Sequence, residues 1–105
     1  MNEIFLVYIT TPSLAEAKKI ALALVQEKLA ACANILPQIS SVFYWNGELQ
    51  ESNESLLLLK TNQDKFPALQ QRVRELHSYE LPCIVALPVA DGLPGFLAWV
   101  NQEVS

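Results

Sequence analysis

The dipeptide Asn46-Gly47, set between Phe43-Tyr44-Trp45 and Glu48-Leu49-Gln50, constrains this chain more than any other feature. Both central positions of a type I′ turn need positive φ, which Asn and Gly tolerate, and such a turn folds two strands directly back on each other. A two-residue loop there sets the register: Trp45 faces Glu48, Ile39 faces Glu54, and Leu36 faces Leu57. The arms have room to run about 14 residues each, roughly 45 Å at ~3.3 Å per residue. A 100-residue domain has a radius of gyration of only ~13 Å, so this hairpin is expected to project beyond its own body. Pro37 has no N–H to give to a ladder and marks the place for a bend or bulge.

The hairpin also carries more apolar surface than one chain needs. Its tip holds Phe43, Tyr44, Trp45 and Leu49, and nearer the body Leu56–Leu59 is apolar at consecutive positions, hence on both faces of a strand. One face serves the helices. The other, with the tip, is expected to meet a second copy of the same chain. Composition agrees: 51% of the 105 residues are apolar and 17% charged, against the usual ~45–50% and ~25%. Such a chain is expected to form one domain spanning residues 1–105, and it is too apolar to be disordered.

A net charge of −4 argues against nucleic acid, whose binding rests on basic contacts to phosphate, and against an anionic membrane surface. No apolar run approaches the roughly 20 residues needed to span a bilayer. Met1-Asn2-Glu3 supplies no basic n-region of a signal peptide, so a cytoplasmic protein is expected.

Around the hairpin, hydrophobic spacing marks the other elements. Glu3–Thr10 reads as a buried strand, and Ser13-x-x-Glu16 as a capping box opening a helix with an Ala17, Ile20, Ala21, Leu24, Val25 and Leu29 stripe. After the hairpin, Asn62 or Asp64 caps a helix with Phe66, Leu69, Val73, Leu76 and His77 on one side. Cys83–Val89 forms a fourth strand, and a short helix with Phe96, Leu97, Trp99 and Val100 closes the chain. The order βαββαβ plus a C-terminal helix predicts an α+β, ferredoxin-like fold with a four-stranded antiparallel sheet in spatial order 4-1-3-2.

That topology sorts the reactive residues by end. Thr10-Thr11, the loop after His77, Cys83 and Glu54 share one end; Cys32, Lys60 and Asp91 share the other. Cys32 and Cys83 start strands on opposite edges, too far apart for a disulfide, and read as small buried side chains. His77, the only histidine, is either a helix-terminal side chain favoured by the macrodipole or a metal ligand with Cys83 or Glu54. The chain has no glycine-rich phosphate loop, Ser-His-Asp set or HExxH, so an enzyme is not expected.

Five segments then form a recognisable pattern: Leu29-Ala30-Ala31-Cys32-Ala33-Asn34, Phe43-Tyr44-Trp45-Asn46-Gly47, Leu58-Leu59-Lys60-Thr61, His77-x-Tyr79-Glu80-x-Pro82, and Trp99. Together they resemble the CutA divalent-cation-tolerance family over nearly the whole chain. The resemblance implies a homotrimer of ferredoxin-like subunits whose hairpins wrap their neighbours through Phe43, Tyr44, Trp45 and Leu49. It also implies a non-catalytic role in tolerance to Cu²⁺ or another divalent cation, with His77, Cys83 and Glu54 as candidate ligands. Two positions depart from the family pattern: Ser78 stands where many relatives have proline, and Ile9 where some have cysteine. By fold analogy with PII signalling trimers, a second reading places a small molecule in an inter-subunit cleft near Tyr79, Lys60 and Glu54.

Overall fold

The structure, a computed structural model, describes residues 3–105. Its elements run β1 (Ile4–Thr11), α1 (Leu14–Gln26), β2 (Cys32–Trp45), β3 (Glu48–Asn62), α2 (Phe66–Leu76), β4 (Ile84–Pro88) and α3 (Pro94–Glu103). The strands form one antiparallel sheet in the order β2-β3-β1-β4. This is the α+β ferredoxin-like arrangement that the element order predicts.

The hairpin dominates the shape. β2 has 14 residues and β3 has 15, and the longest dimension is 44 Å against 25 and 22 Å for the others. At the turn Asn46 and Gly47 take φ of 52° and 80°, as a type I′ turn requires. From there the expected register holds from Trp45↔Glu48 as far as Ile39↔Glu54. It then slips: Leu36 pairs with Leu56, not Leu57, because β2 spends one extra residue in a bulge between Leu36 and Ile39. Ser55 Oγ donates to the Pro37 carbonyl at 2.7 Å, which holds the bulge.

The slip has a physical cause. Body pairs Ala33↔Leu59 and Ile35↔Leu57 put four apolar side chains on the helix face. A one-residue shift would turn Asn34 and Leu36 inward and Ala33 and Ile35 out. On that face Val7, Ile9, Leu57 and Leu59 are fully buried against Ile20 and Leu24 of α1 and Leu69 and Val73 of α2. Each such side chain contributes about 1.5–3 kcal/mol by leaving water.

The opposite face is free of α1 and α2 and carries only α3, at its Ile4–Asn62 end. Leu56 and Leu58 of β3 stay half-buried there, and Leu36, Val85 and Leu87 are exposed.

The helix ends show what spacing alone misses. Ser13 caps α1 as expected, its Oγ accepting from the Glu16 N–H at 3.1 Å. Val25, assigned to the buried stripe, is instead exposed, outside the buried set Ala17, Ile20, Ala21 and Leu24. Lys28 then takes φ of 61°, a left-handed position that glycine usually fills. Asn62 accepts from the Lys65 N–H at 3.0 Å and so caps the turn before α2, while Lys65 itself holds the N-cap position without a side-chain bond. Val100 and Val104 anchor α3 to Ile4 and Ala31 in a second small core.

Candidate functional site

Where the hairpin leaves the body, a pocket of about 450 Å³ opens on the face opposite α1 and α2. Alternation explains its lining. Glu54 and Gln50 point to one side of β3, and their register puts Phe43 and Trp45 of β2 on that same side. Thr10 is the next-to-last residue of β1, Cys83 precedes β4, and Tyr79, Glu80 and Leu81 arrive on the loop after α2.

The loop is held by His77. The helix ends there because its backbone turns extended, and its side chain is fully buried. Nε2 lies 2.8 Å from the Thr10 carbonyl, which accepts only, so Nε2 carries the proton. Nδ1 accepts from the Tyr79 N–H at 3.1 Å. Glu16 secures the neighbouring residue: its Oε2 accepts from both the N–H and the Oγ of Ser78 at 3.1 Å. A proline at position 78 has neither donor. Ser78 therefore ties the loop to α1, as His77 ties it to β1.

Beyond that brace Tyr79 crosses to β3. Its Oη donates to Glu54 Oε2 at 2.7 Å, and its ring lies 4.8 Å from that of His77. Burial and, next, the carboxylate of Glu54 push the Tyr79 phenol well above its ordinary range. Tyr79 therefore stays a donor. Glu54 is 7% exposed, and no Lys, Arg or His is among the described residues that line the pocket.

The candidate residues separate accordingly. Glu54, Tyr79 and Cys83 come together, as their shared end of the sheet predicts. Cys83 is exposed and Cys32 half-buried, so neither is the buried filler expected from composition. His77 sits behind the wall, both ring nitrogens engaged by protein groups, and has no lone pair to give a metal. Among the described residues no three His, Cys, Asp or Glu side chains converge on one point, so His77, Cys83 and Glu54 do not form a closed ligand set.

Lys60 does not line this pocket. It lies six positions along β3 from Glu54, roughly 20 Å at ~3.3 Å per residue, beside Cys32 with its Nζ on Asn34 Oδ1 at 2.6 Å. The tip divides too: Phe43 and Trp45 turn to the pocket, while Tyr44 (73% exposed) and Leu49 (60%) point the other way. Gln50, Glu80 and Leu81 are lining residues that residue chemistry alone did not single out. The alternation counted outward from Glu54 marks Gln50 and its partner Phe43; nothing local marks Leu81.

The whole chain has close counterparts. A family model for the CutA1 divalent ion tolerance protein matches residues 5–103. The divalent-cation tolerance protein CutA of Thermus thermophilus is 50% identical over 103 residues, 98% of each chain. A solved structure of the divalent cation tolerance protein from Thermus thermophilus superposes with a TM-score of 0.93 at 48% identity, covering 100% of both chains. The periplasmic divalent cation tolerance protein CutA of Archaeoglobus fulgidus superposes with a TM-score of 0.94 at 42% identity, covering 97% of this chain and 99% of that one.

Proposed function

The chain belongs to the CutA1 divalent ion tolerance family, and on that footing we propose that it serves tolerance to divalent cations, copper foremost, as a cytoplasmic homotrimer that binds metal weakly and catalyses no reaction. The observation that carries the metal reading is the pairing of Cys83 and Glu54 on one pocket wall. A thiolate suits Cu(I), and a carboxylate offers a harder oxygen donor. Two donors leave a coordination sphere open, which agrees with weak, exchangeable binding. His77 serves the site by holding the Tyr79 loop, not as a ligand.

The trimer reading is supported by the face opposite α1 and α2, where Leu36, Val85 and Leu87 are each more than 40% exposed, and by Tyr44 and Leu49 on the outer side of the arm. Apolar area of this kind marks an interface. Among the described residues no helix is long and apolar enough to cross a membrane.

Titration calorimetry with Cu²⁺ on the assembled protein tests the metal site. Cys83→Ser and Glu54→Gln each lower the affinity about tenfold, the loss of one ligand's worth of binding, while His77→Asn leaves it unchanged. Equal affinity in all four proteins removes this site from the proposal.

A second reading, a small-molecule pocket like that of a PII trimer, is favoured by the volume alone, which falls within the ~300–1,000 Å³ of ligand sites.

A further inference from the structure

We infer that the pocket is a socket for a second copy of this chain: Lys60 of one copy enters the pocket of the next and pairs there with Glu54. This rests on the assembly proposed above and deepens it, by naming the contact that sets one copy against another.

Glu54 lacks a counter-ion in its own chain. It is 7% exposed, and the Tyr79 hydroxyl on Oε2 satisfies a lone pair without neutralising the charge. Glu80 adds a second carboxylate to the wall, and no Lys, Arg or His is among the described residues that line it. A carboxylate so far from water gains most from a positive charge brought to it.

The chain holds one cation placed to answer it. Lys60 is the only basic residue of the four strands. Along β3, positions 54, 56, 58 and 60 alternate with the core residues Leu57 and Leu59, so Lys60 shares the face of Glu54, opposite α1 and α2. The other basic residues belong to the helix layer, where Arg72 is already held by Glu27 and Glu75. Lys60 Nζ donates to Asn34 Oδ1 at 2.6 Å, a neutral partner, and no carboxylate among the described residues pairs with it.

Within one chain the two charges never meet, being six positions or roughly 20 Å apart at ~3.3 Å per residue. Between them Leu56 and Leu58, with Leu36 and Val85 alongside, make an apolar stretch. The face therefore has a negative end, an apolar middle and a positive end. Such a surface complements a copy of itself set head to tail, the negative end of each meeting the positive end of the next. Three segments of ~20 Å laid this way close into a triangle, and each pocket receives one Lys60.

The pocket suits this guest. Phe43, Trp45 and Leu81 line it beside the carboxylates, so the stem of a lysine lies on apolar surface while its ammonium reaches Glu54. His77 fixes the Tyr79 loop to β1, so the acceptor is in place before the copies meet. A metal has to compete with this lysine for Glu54, which agrees with weak metal binding.

The test is a double-mutant cycle on the full-length protein, read by sedimentation equilibrium over graded urea. Lys60→Met and Glu54→Gln each raise the dissociation constant about tenfold per contact, and the double variant raises it no further than either alone. Two residues this far apart in one chain and acting separately would instead multiply, to about a hundredfold.

A second arm covers the case in which Glu54→Gln fails to fold. Lys60→Glu sets carboxylate against carboxylate and disperses the assembly into monomers with the wild-type circular dichroism. Lys18→Glu, the same change of charge at an exposed position of α1, leaves the assembly intact. Multiplying effects in the cycle, or the same behaviour of Lys60→Glu and Lys18→Glu, overturn the contact while the assembly stands. A wild-type chain that sediments only as a monomer overturns the assembly and the contact with it, so the two failures are distinguishable.

Discussion

The Nε2–H of His77 donates to the carbonyl of Thr10 at 2.8 Å, joining the end of α2 to the end of β1 across 67 positions of sequence. Both partners are polar groups in a dry setting, since His77 is only 8% exposed. The bond is the pin on which the pocket wall hangs. His77 Nδ1 receives the next turn of chain, and the Tyr79 phenol on that turn reaches Glu54.

His77→Ala strands the Thr10 carbonyl and the Tyr79 N–H together. Leaving buried partners without a bond costs about 1–3 kcal/mol each, and water entering the space recovers part of that. The expected loss of stability is about 2–3 kcal/mol in urea unfolding. A loss below about 0.5 kcal/mol, the level of an ordinary surface change, contradicts the bracing role.

Tyr79 gives a signature at high pH. Its phenol is raised above the ordinary ~10 by burial and by Glu54, so the folded chain holds that proton more tightly than the unfolded one. Its contribution to stability is complete below about pH 10 and is lost as pH rises from there through the folded-state value. Spectrophotometric titration of phenolate should therefore show one late component that disappears in Tyr79→Phe. The same variant should flatten the decline of stability above about pH 10. A wild-type titration with no late component contradicts the contact.

Leu57 and Leu58 are neighbours in sequence with different duties. Leu57 is 0% exposed in the core beneath the helices, and Leu57→Ala is expected to cost about 2–5 kcal/mol at any protein concentration. Leu58 lies half-buried on the face opposite α1 and α2. If that face joins subunits, Leu58→Asp leaves the subunit folded but shifts the assembly to smaller species, and stability becomes concentration-dependent. Sedimentation of the two variants separates these effects. An intact assembly in Leu58→Asp argues that the face is not the joint.

Most of the fold was legible because it rests on local rules that do not compete. Asn46-Gly47 specified the turn, Ser13 and Glu16 the first cap, and the two-sided Leu56–Leu59 run a strand with work on both faces. Legibility failed where two rules met. The turn's register and the core's register disagree by one residue, and counting from the turn misplaced Leu36 against Leu57.

The site was legible to a lesser degree, for the same reason. Topology put Glu54, Tyr79 and Cys83 at one end, but residue type made His77 a ligand and not a brace. The partners that consume its nitrogens are a backbone carbonyl and a backbone N–H. Every residue carries such groups, so no reading of side chains reveals them. Lys60 lies at the opposite end of the sheet from Glu54, as the topology predicts, and does not line this pocket.

The bulge beside Pro37 separates two parts of one hairpin that answer to different constraints. On the body side, Ala33, Ile35, Leu57 and Leu59 are seated by the helices; on the far side, the turn alone keeps the ladder in step. The arm can therefore be lengthened or shortened without disturbing the core. Adding two residues to each strand beyond Ile39 and Glu54 keeps every face as it is and carries the turn outward by about 6.6 Å. The reach of the arm is a dimension this chain can vary freely, while the packing that makes it fold stays where it is.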